Sequence, residues 1–270
     1  MRWLKRCYSL LYRLVVPEPM VCKQYAVLFR DGDFAVVDKP ANLPCHPSGR
    51  YRRGTLEWLL RRREGFPATH FVNRLDRETS GLVVVALHAE AASRLGKLFA
   101  EGRVHKTYIA IVEGCFPETP QEVAGHIFLQ RGTVIRKKRV FVPESAGTLA
   151  EVQEFRSSEV QNAKPCVTHF ERTAYRDGLS WLRITPRTGR PHQIRATLKA
   201  IGFPIVGDKL YGLDETIYAR LTTDSVTPRD RALLRLPRQA LHAATLSFHH
   251  PFTNKPMTFD SPLPDTLRYE

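Results

Sequence analysis

The sequence predicts an α+β fold, and three observations carry that prediction. Short runs of β-branched and aromatic residues come in pairs joined by turn residues. Helical patterns are interspersed among them without the alternation of a βαβ array. No stretch repeats another. Chains of this kind build a mixed, mainly antiparallel sheet with helices and loops at its flanks.

Along the chain, residues 1–24 read as an extension, because Pro17 and Pro19 interrupt any helix formed by residues 3–16. One domain is expected from residue 25 to 270. Residues 25–30 and 34–38 flank Asp31-Gly32-Asp33 as a hairpin. A loop with Pro40, Pro44 and Pro47 follows. Residues 55–63 then have helical character, 81–87 form the valine-rich run of a buried strand, and 89–100 form an amphipathic helix. Residues 106–112 return as a strand. Residues 168–175 and 180–185 flank Asp177-Gly178, a pair that tolerates positive φ and marks a hairpin. A short helix over 191–201 has Pro191 for its first turn and Gly202 for its exit.

With 43% apolar and 25% charged residues, the chain can bury a sizeable core and is no disordered tail. Its 41 Lys and Arg outnumber 27 Asp and Glu, for a net charge of +14, which favours a polyanionic partner and nucleic acid first. The charge is clustered: Arg50, Arg52, Arg53 and Arg61 to Arg63; then Arg131, Arg136, Lys137, Lys138 and Arg139; then Arg229, Arg231, Arg235 and Arg238. The 5 cysteines are spread out with no C-x-x-C pair, which points to a reducing compartment and to no metal site. No apolar run approaches the ~20 residues of a membrane span. Arg13 interrupts the apolar start, so a signal peptide is not expected either. A cytoplasmic monomer without a membrane partner is the expectation.

The stretch richest in chemistry is Asn73-Arg74-Leu75-Asp76-Arg77-Glu78-Thr79-Ser80-Gly81-Leu82, which sets a carboxylate between two arginines just before a strand. Neighbouring positive charge keeps a carboxylate ionised, Thr79 and Ser80 can hydrogen-bond the loop backbone, and Gly81 allows a tight entry. From these residues alone two readings stand: an ionised nucleophile, or a salt bridge that serves only the loop.

Arg74 to Leu82 reads R-L-D-R-x-T-S-G-L and resembles the signature of the RluA family of RNA pseudouridine synthases. Further blocks follow the family order. Val36 to Pro40 resembles its V-x-x-K-P entry, and Lys106 to Ala110 its K-x-Y-x-A strand. Thr188-Gly189-Arg190-Pro191-His192-Gln193-Ile194-Arg195, continued by Ile201-Gly202-Phe203-Pro204-Ile205-Val206-Gly207-Asp208-Lys209-Leu210-Tyr211-Gly212, resembles its third motif.

The resemblance implies the pseudouridine synthase catalytic fold around a central RNA-binding cleft, and a cofactor-free isomerase of uridines in ribosomal or transfer RNA. It implies that Asp76 is the nucleophile, attacking C1′ of the target nucleotide. Tyr108 would pack on the extruded uracil, and in a glycal route it could remove the C2′ proton. Arg195 would pair with the nucleophile. Helical spacing agrees, since Ile194, Leu198 and Ile201 share one face and leave His192, Arg195 and Lys199 on another stripe. Arg74 would fill the place vacated by the base, and Arg77, Lys106, Arg190 and His192 complete the RNA-binding set. Arg190 and His192 either touch phosphate or brace their loop.

The chain departs from the pattern at Asn73, where the family usually has His, and at Asn42, where it usually has Gly after K-P-A. Pro191 stands for a usual Thr, and Ala196-Thr197 for a Val-His pair. An RNA-binding assembly factor that kept the fold without the chemistry is the alternative, and the trio Asp76, Tyr108 and Arg195 speaks against it. A glycoside hydrolase would need two carboxylates ~5–10 Å apart. The only nearby candidate is Glu78, which is expected to face solvent. The residues before Tyr25 are too few for an S4-like RNA-binding domain.

Overall fold

The computed structural model describes residues 17–130, 138–146 and 162–269. The candidate helix over 3–16 lies outside them, as do Arg131, Arg136 and Lys137 of the middle basic cluster. Where the sequence suggested one domain from residue 25, the described residues divide into two compact units. One comprises the described residues up to Glu101 with Pro251–Asn254; the other comprises those from Gly102 to His250 with those from Lys255 onward.

In the first unit, β1 (Ala26–Arg30) pairs antiparallel with β2 (Phe34–Lys39). Asp31 makes the turn, its Oδ1 accepting the N–H groups of Asp33 and Phe34 at 2.8 Å each. β2 pairs in turn with β4 (Ser80–Ala86), whose residues are all buried, and β3 (His70–Phe71) pairs with the same strand at Val85 and Ala86. Helix α1 (Leu56–Arg63) starts on Thr55, whose side chain accepts the Trp58 N–H. Helix α2 (Ala89–Ala100) starts on His88 in the same way and buries Ala91, Leu95 and Leu98.

The second unit is built on a sheet ordered β11-β10-β5-β9-β8-β6-β7. In chain order its strands are β5 (His105–Glu113), β6 (Gln121–Leu129), β7 (Arg139–Pro143), β8 (Lys164–Arg176), β9 (Leu179–Pro186), β10 (Leu241–His249) and β11 (Pro256–Asp260). Neighbouring pairs are antiparallel. The β8–β9 hairpin turns on Asp177 and Gly178 at φ 52° and 77°, as an Asp-Gly pair predicts. Helix α3 (Gln193–Ala200) closes the core formed by Ala110, Phe170, Leu182, Ile184 and Leu198. Two further short helices, α4 (Thr216–Thr222) and α5 (Pro228–Leu234), follow it.

The start of α3 differs from the expectation. Pro191 lies before the helix, whose cap is His192 in the left-handed region at φ 59°. The cause is Gln193, whose side-chain oxygen turns back to accept from the Thr188 hydroxyl and the Arg190 N–H, closing the turn one residue later. The strands β6, β7, β10 and β11 and the helices α4 and α5 carry no expectation from sequence. No helix among the described residues is long and apolar enough to cross a membrane.

Candidate active site

The first unit holds Asp76 on the loop that leads from β3 into β4. That loop is fixed by a lysine: Lys39, at the end of β2, is fully buried and donates to the carbonyls of Pro40 (2.9 Å), Leu43 (2.9 Å) and Arg77 (3.3 Å). The Leu43 N–H reaches the same Arg77 carbonyl at 3.1 Å, and the Thr79 N–H closes a turn on the carbonyl of Asp76 at 3.2 Å. Backbone dipoles therefore solvate the ammonium, and in return the ammonium fastens the residue next to Asp76. Lys39 faces Gly81 across the ladder, and Gly81 has φ +108°, a conformation that excludes a side chain. Cys45 lies beneath, its Sγ 3.4 Å from the Leu75 carbonyl, and burial pushes the thiol pKa up, so it stays protonated.

Asn73 continues the ladder with its side chain. Its Oδ1 accepts the Val84 N–H at 2.7 Å and its Nδ2 donates to the Leu82 carbonyl at 3.2 Å. An amide supplies both roles without depending on protonation. Asn42 also has a structural account: its φ is 59°, a region that Gly and Asn occupy at low cost, and its Nδ2 reaches the Met20 carbonyl.

The arginines that flank Asp76 diverge. Arg74 is exposed and lies 3.3 Å from His46 Nε2. Arg77 turns to the Tyr51 ring and hydroxyl and to Glu78 at 2.8 Å. Glu78 does not face solvent as expected. Its side chain is 15% exposed and bound to Arg77, because the tight turn at Thr79 folds it back along the loop. Asp76 itself is half-buried between exposed Arg74 and Arg77 and buried Leu75.

The early basic cluster is organised by residues 17–24, which are bound to this unit. Glu18 receives the N–H groups of Arg52, Arg53 and Gly54 at 2.8–3.0 Å and the Arg52 Nε at 3.2 Å. Burial alone would raise its pKa, but these donors outweigh burial and draw it down to about 2. Arg50 and Arg63 add bonds to the carbonyls of Pro17 and Lys23.

The second unit holds the other candidates. Tyr108 on β5 is half-buried, paired with Ile184 and Ala243, and packed against the core. Lys106, two residues earlier, is 8% exposed. Arg195 is buried within α3. It is 8% exposed in a helix whose residues Gln193 to Leu198 are all buried, and it pairs with Asp208 through Nε–Oδ2 at 2.7 Å and a terminal nitrogen to Oδ1 at 2.9 Å. The fully buried Asp208 also accepts the N–H groups of Leu210 and Tyr211. Burial would raise its pKa; Arg195 and the two amides overcome that and hold the carboxyl below its usual range.

Tyr211 completes the arrangement. Its ring lies 4.9 Å from the Arg195 guanidinium, and its hydroxyl accepts the Arg139 N–H at 2.8 Å and lies 2.9 Å from His192 Nδ1. Arg190 uses Nε on the Pro165 carbonyl at 3.3 Å. His192 and Arg190 thus both brace their loop, which does not exclude a contact with phosphate.

Comparison with known proteins turns this geometry into an assignment. A family model described as RNA pseudouridylate synthase matches residues 33–200. The chain belongs to the RNA pseudouridylate synthase family. A ribosomal large subunit pseudouridine synthase D from Nitrosomonas europaea is 32% identical over 245 residues, 89% of this chain and 62% of that protein. A mitochondrial tRNA pseudouridine(32) synthase from Saccharomyces cerevisiae is 36% identical over 197 residues, 73% of this chain and 39% of that protein. The chain thus spans less than two thirds of the length of these two curated relatives. Among solved structures, human RNA Pseudouridylate Synthase Domain Containing 1 matches with a TM-score of 0.65 at 27% identity, over 91% of this chain and 86% of that one. Human RNA Pseudouridylate Synthase Domain Containing 4 shares the fold with a TM-score of 0.64 at 23% identity.

Within this member of the family, sequence reasoning named Arg195 but missed its buried counterion, and quoted Lys39 without giving it a task. A lysine that ends an apolar strand and precedes proline was the available signal for the second. For Asp208 only the spacing to Arg195 hinted at a pair, and that spacing crosses a turn.

Proposed function

We propose that the chain isomerises uridines to pseudouridines in structured RNA, ribosomal or transfer, with Asp76 as nucleophile. The observation that carries the reading is the Asp76 loop, a half-buried carboxylate on a segment braced on both sides by Lys39 and Asn73, in a chain of this family. The carboxylate attacks C1′ as the N1–C1′ bond breaks, and the uracil leaves with the electron pair. The base turns, its C5 displaces the ester at C1′, the C5 proton is lost and N1 takes one up, so the product is an isomer.

Tyr108 is the flat surface for the displaced uracil and the base of the glycal variant. Arg195 is the cation that partners the nucleophile, its own orientation set by Asp208. Extruding the target costs roughly a few kcal/mol of stacking. Arg74 is the side chain that replaces it, exposed and planar as that role requires. Arg77, Lys106, Arg190 and His192 are the further RNA contacts of the scheme. The protein acts as a monomer in the cytoplasm and needs no cofactor in this scheme.

The test is pseudouridine mapping of ribosomal and transfer RNA from cells lacking the gene, complemented with wild type or Asp76→Ala. Sites lost in the deletion and restored by the wild type alone support the reading and identify the substrate. Equal restoration by Asp76→Ala would remove the nucleophile from the scheme, and no lost site would remove the activity.

A further inference from the structure

The first unit holds a residue to which the proposed reaction gives no task. Tyr51 is half-buried, and it meets Arg77, the neighbour of Asp76, in two ways: its hydroxyl accepts from Nη1, and its ring centre lies 5.7 Å from the guanidinium carbon. On the other side of the same guanidinium, Nη2 donates to Glu78 at 2.8 Å. A surface ion pair by itself holds a side chain loosely. A hydroxyl and an aromatic face added to it fix the orientation of the planar fork. The main chain of Arg77 is fastened separately, its carbonyl accepting from Lys39 and from the Leu43 N–H. Arg77 is therefore gripped at both ends, and Asp76 is one peptide away.

The hold on Tyr51 can be traced further back. Tyr51 and Ser48 exchange backbone bonds, N–H to carbonyl at 3.1 Å one way and 3.2 Å the other, which closes a tight loop. The next residues, Arg52, Arg53 and Gly54, give their N–H groups to the Glu18 carboxylate. A Cβ on Gly54 would lie 3.2 Å from Val21 Cγ2 and 3.3 Å from Glu18 Oε2, so Glu18 and Val21 lie directly against this stretch. Residues 20–22 also reach the other support of Arg77: Asn42, next to Leu43, donates from its side chain to the Met20 carbonyl and accepts the Cys22 N–H at its own carbonyl. The segment 17–24 thus holds both the stretch that fastens the Arg77 main chain and the stretch that fastens its side chain.

We propose that Tyr51 is a positioning residue for the nucleophile, and that Glu18, acting through the backbone of residues 52–54, sets the place of Tyr51. Misplacing a reacting group by ~1 Å costs up to ~100-fold in rate. By holding Arg77, Tyr51 fixes the backbone on which Asp76 sits and keeps the neighbouring guanidinium turned to Glu78. The inference deepens the proposed function and rests on it for the reaction, whereas the anchoring of Arg77 does not.

Two measurements test it. In protein labelled with 15N-arginine, the Arg77 Nε–Hε signal, assigned by its loss in Arg77→Lys, reports side-chain order with no RNA present. Its heteronuclear NOE is expected to be that of a fixed side chain in the wild type, to fall in Tyr51→Phe, and to reach the value of the exposed Arg229 in Tyr51→Leu. Glu18→Ala, a change whose direct partners are residues 52–54, should lower it too. In activity assays on ribosomal and transfer RNA from cells lacking the gene, kcat is expected to fall about tenfold in Tyr51→Leu and about threefold in Tyr51→Phe, with KM within about twofold. Tyr51→Phe keeps the ring and carries the test if Tyr51→Leu does not fold.

An Arg77 signal that ignores both Tyr51 variants overturns the anchoring. A loss that falls on KM with kcat intact overturns the positioning role in favour of Tyr51 presenting Arg77 to RNA, and so does a loosened Arg77 with both constants unchanged. If the wild type makes no pseudouridine while Arg77 still loosens, the anchoring stands and the proposed function falls.

Discussion

The Asp76 loop in the first unit and the 188–212 segment in the second solve the same problem with opposite charges. Around Asp76 the buried charge is a lysine, and its partners are three backbone carbonyls. In the 188–212 segment the buried charge is the Asp208 carboxylate, and its partners are a guanidinium and two backbone amides. A lysine that bonds carbonyls holds a loop through neutral groups, so the fastening adds no second side-chain charge. A buried carboxylate that takes Arg195 fixes a cation in a single orientation. The first device immobilises a chain segment; the second aims a side chain.

The comparison breaks most sharply at Asp208. Asp208→Asn leaves Arg195 buried without its counterion, and urea unfolding is expected to show a loss of about 3–5 kcal/mol. A loss below about 1 kcal/mol would mean that the pair does not hold the segment. Because the Asp208 pKa is depressed in the fold, its contribution is present above the unfolded carboxylate value near 3.8 and disappears as pH falls through the folded value.

Lys39→Met tests the other device. Three carbonyls lose a donor, but no charge is left stranded, so the expected cost is smaller, about 2–3 kcal/mol. Pseudouridine formation should fall further than the folded fraction does, which a denaturation curve run beside an activity assay would reveal. Equal falls would reduce Lys39 to a core residue.

Glu18 offers a milder, solvent-reached version of the carboxylate device. Glu18→Gln is expected to cost about 1 kcal/mol, screened as exposed ion pairs are. Its folded pKa of about 2 against 4.5 unfolded means that the difference between variant and wild type holds above about pH 4.5 and closes towards pH 2. A difference that is constant over that range would place the effect elsewhere. The smallest effect is at Asn42: Asn42→Gly should change stability by no more than about 0.5 kcal/mol, whereas Asn42→Ala, forced to φ 59°, should cost about 1–2 kcal/mol.

Legibility followed periodicity and local turn chemistry. Helix α2 and the β8–β9 turn were readable from spacing and from Asp177-Gly178, since the forces that form them act within a few residues. Strand β10 was not read, because a run such as Leu-His-Ala-Ala-Thr-Leu has neither clean alternation nor a helical stripe. Helix α5 was missed although Thr227-Pro228-Arg229-Asp230 carries a capping box, a signal small enough to be overlooked between basic residues. At the site, helical spacing set Arg195 apart from the Ile194 and Leu198 face of α3, but spacing shows which residues share a face and not which faces become buried.

The sequence by itself determined the family, the α+β class, the candidate nucleophile and most of the local turns. All of these are written in contiguous residues or in motifs that can be matched one position at a time. Only the tertiary structure decided that Lys39 clamps the Asp76 loop, that Arg195 is oriented by Asp208, and that Glu78 folds back onto Arg77. Each of these depends on which groups lose water together. Burial is a property of the packed chain, and no residue carries it alone.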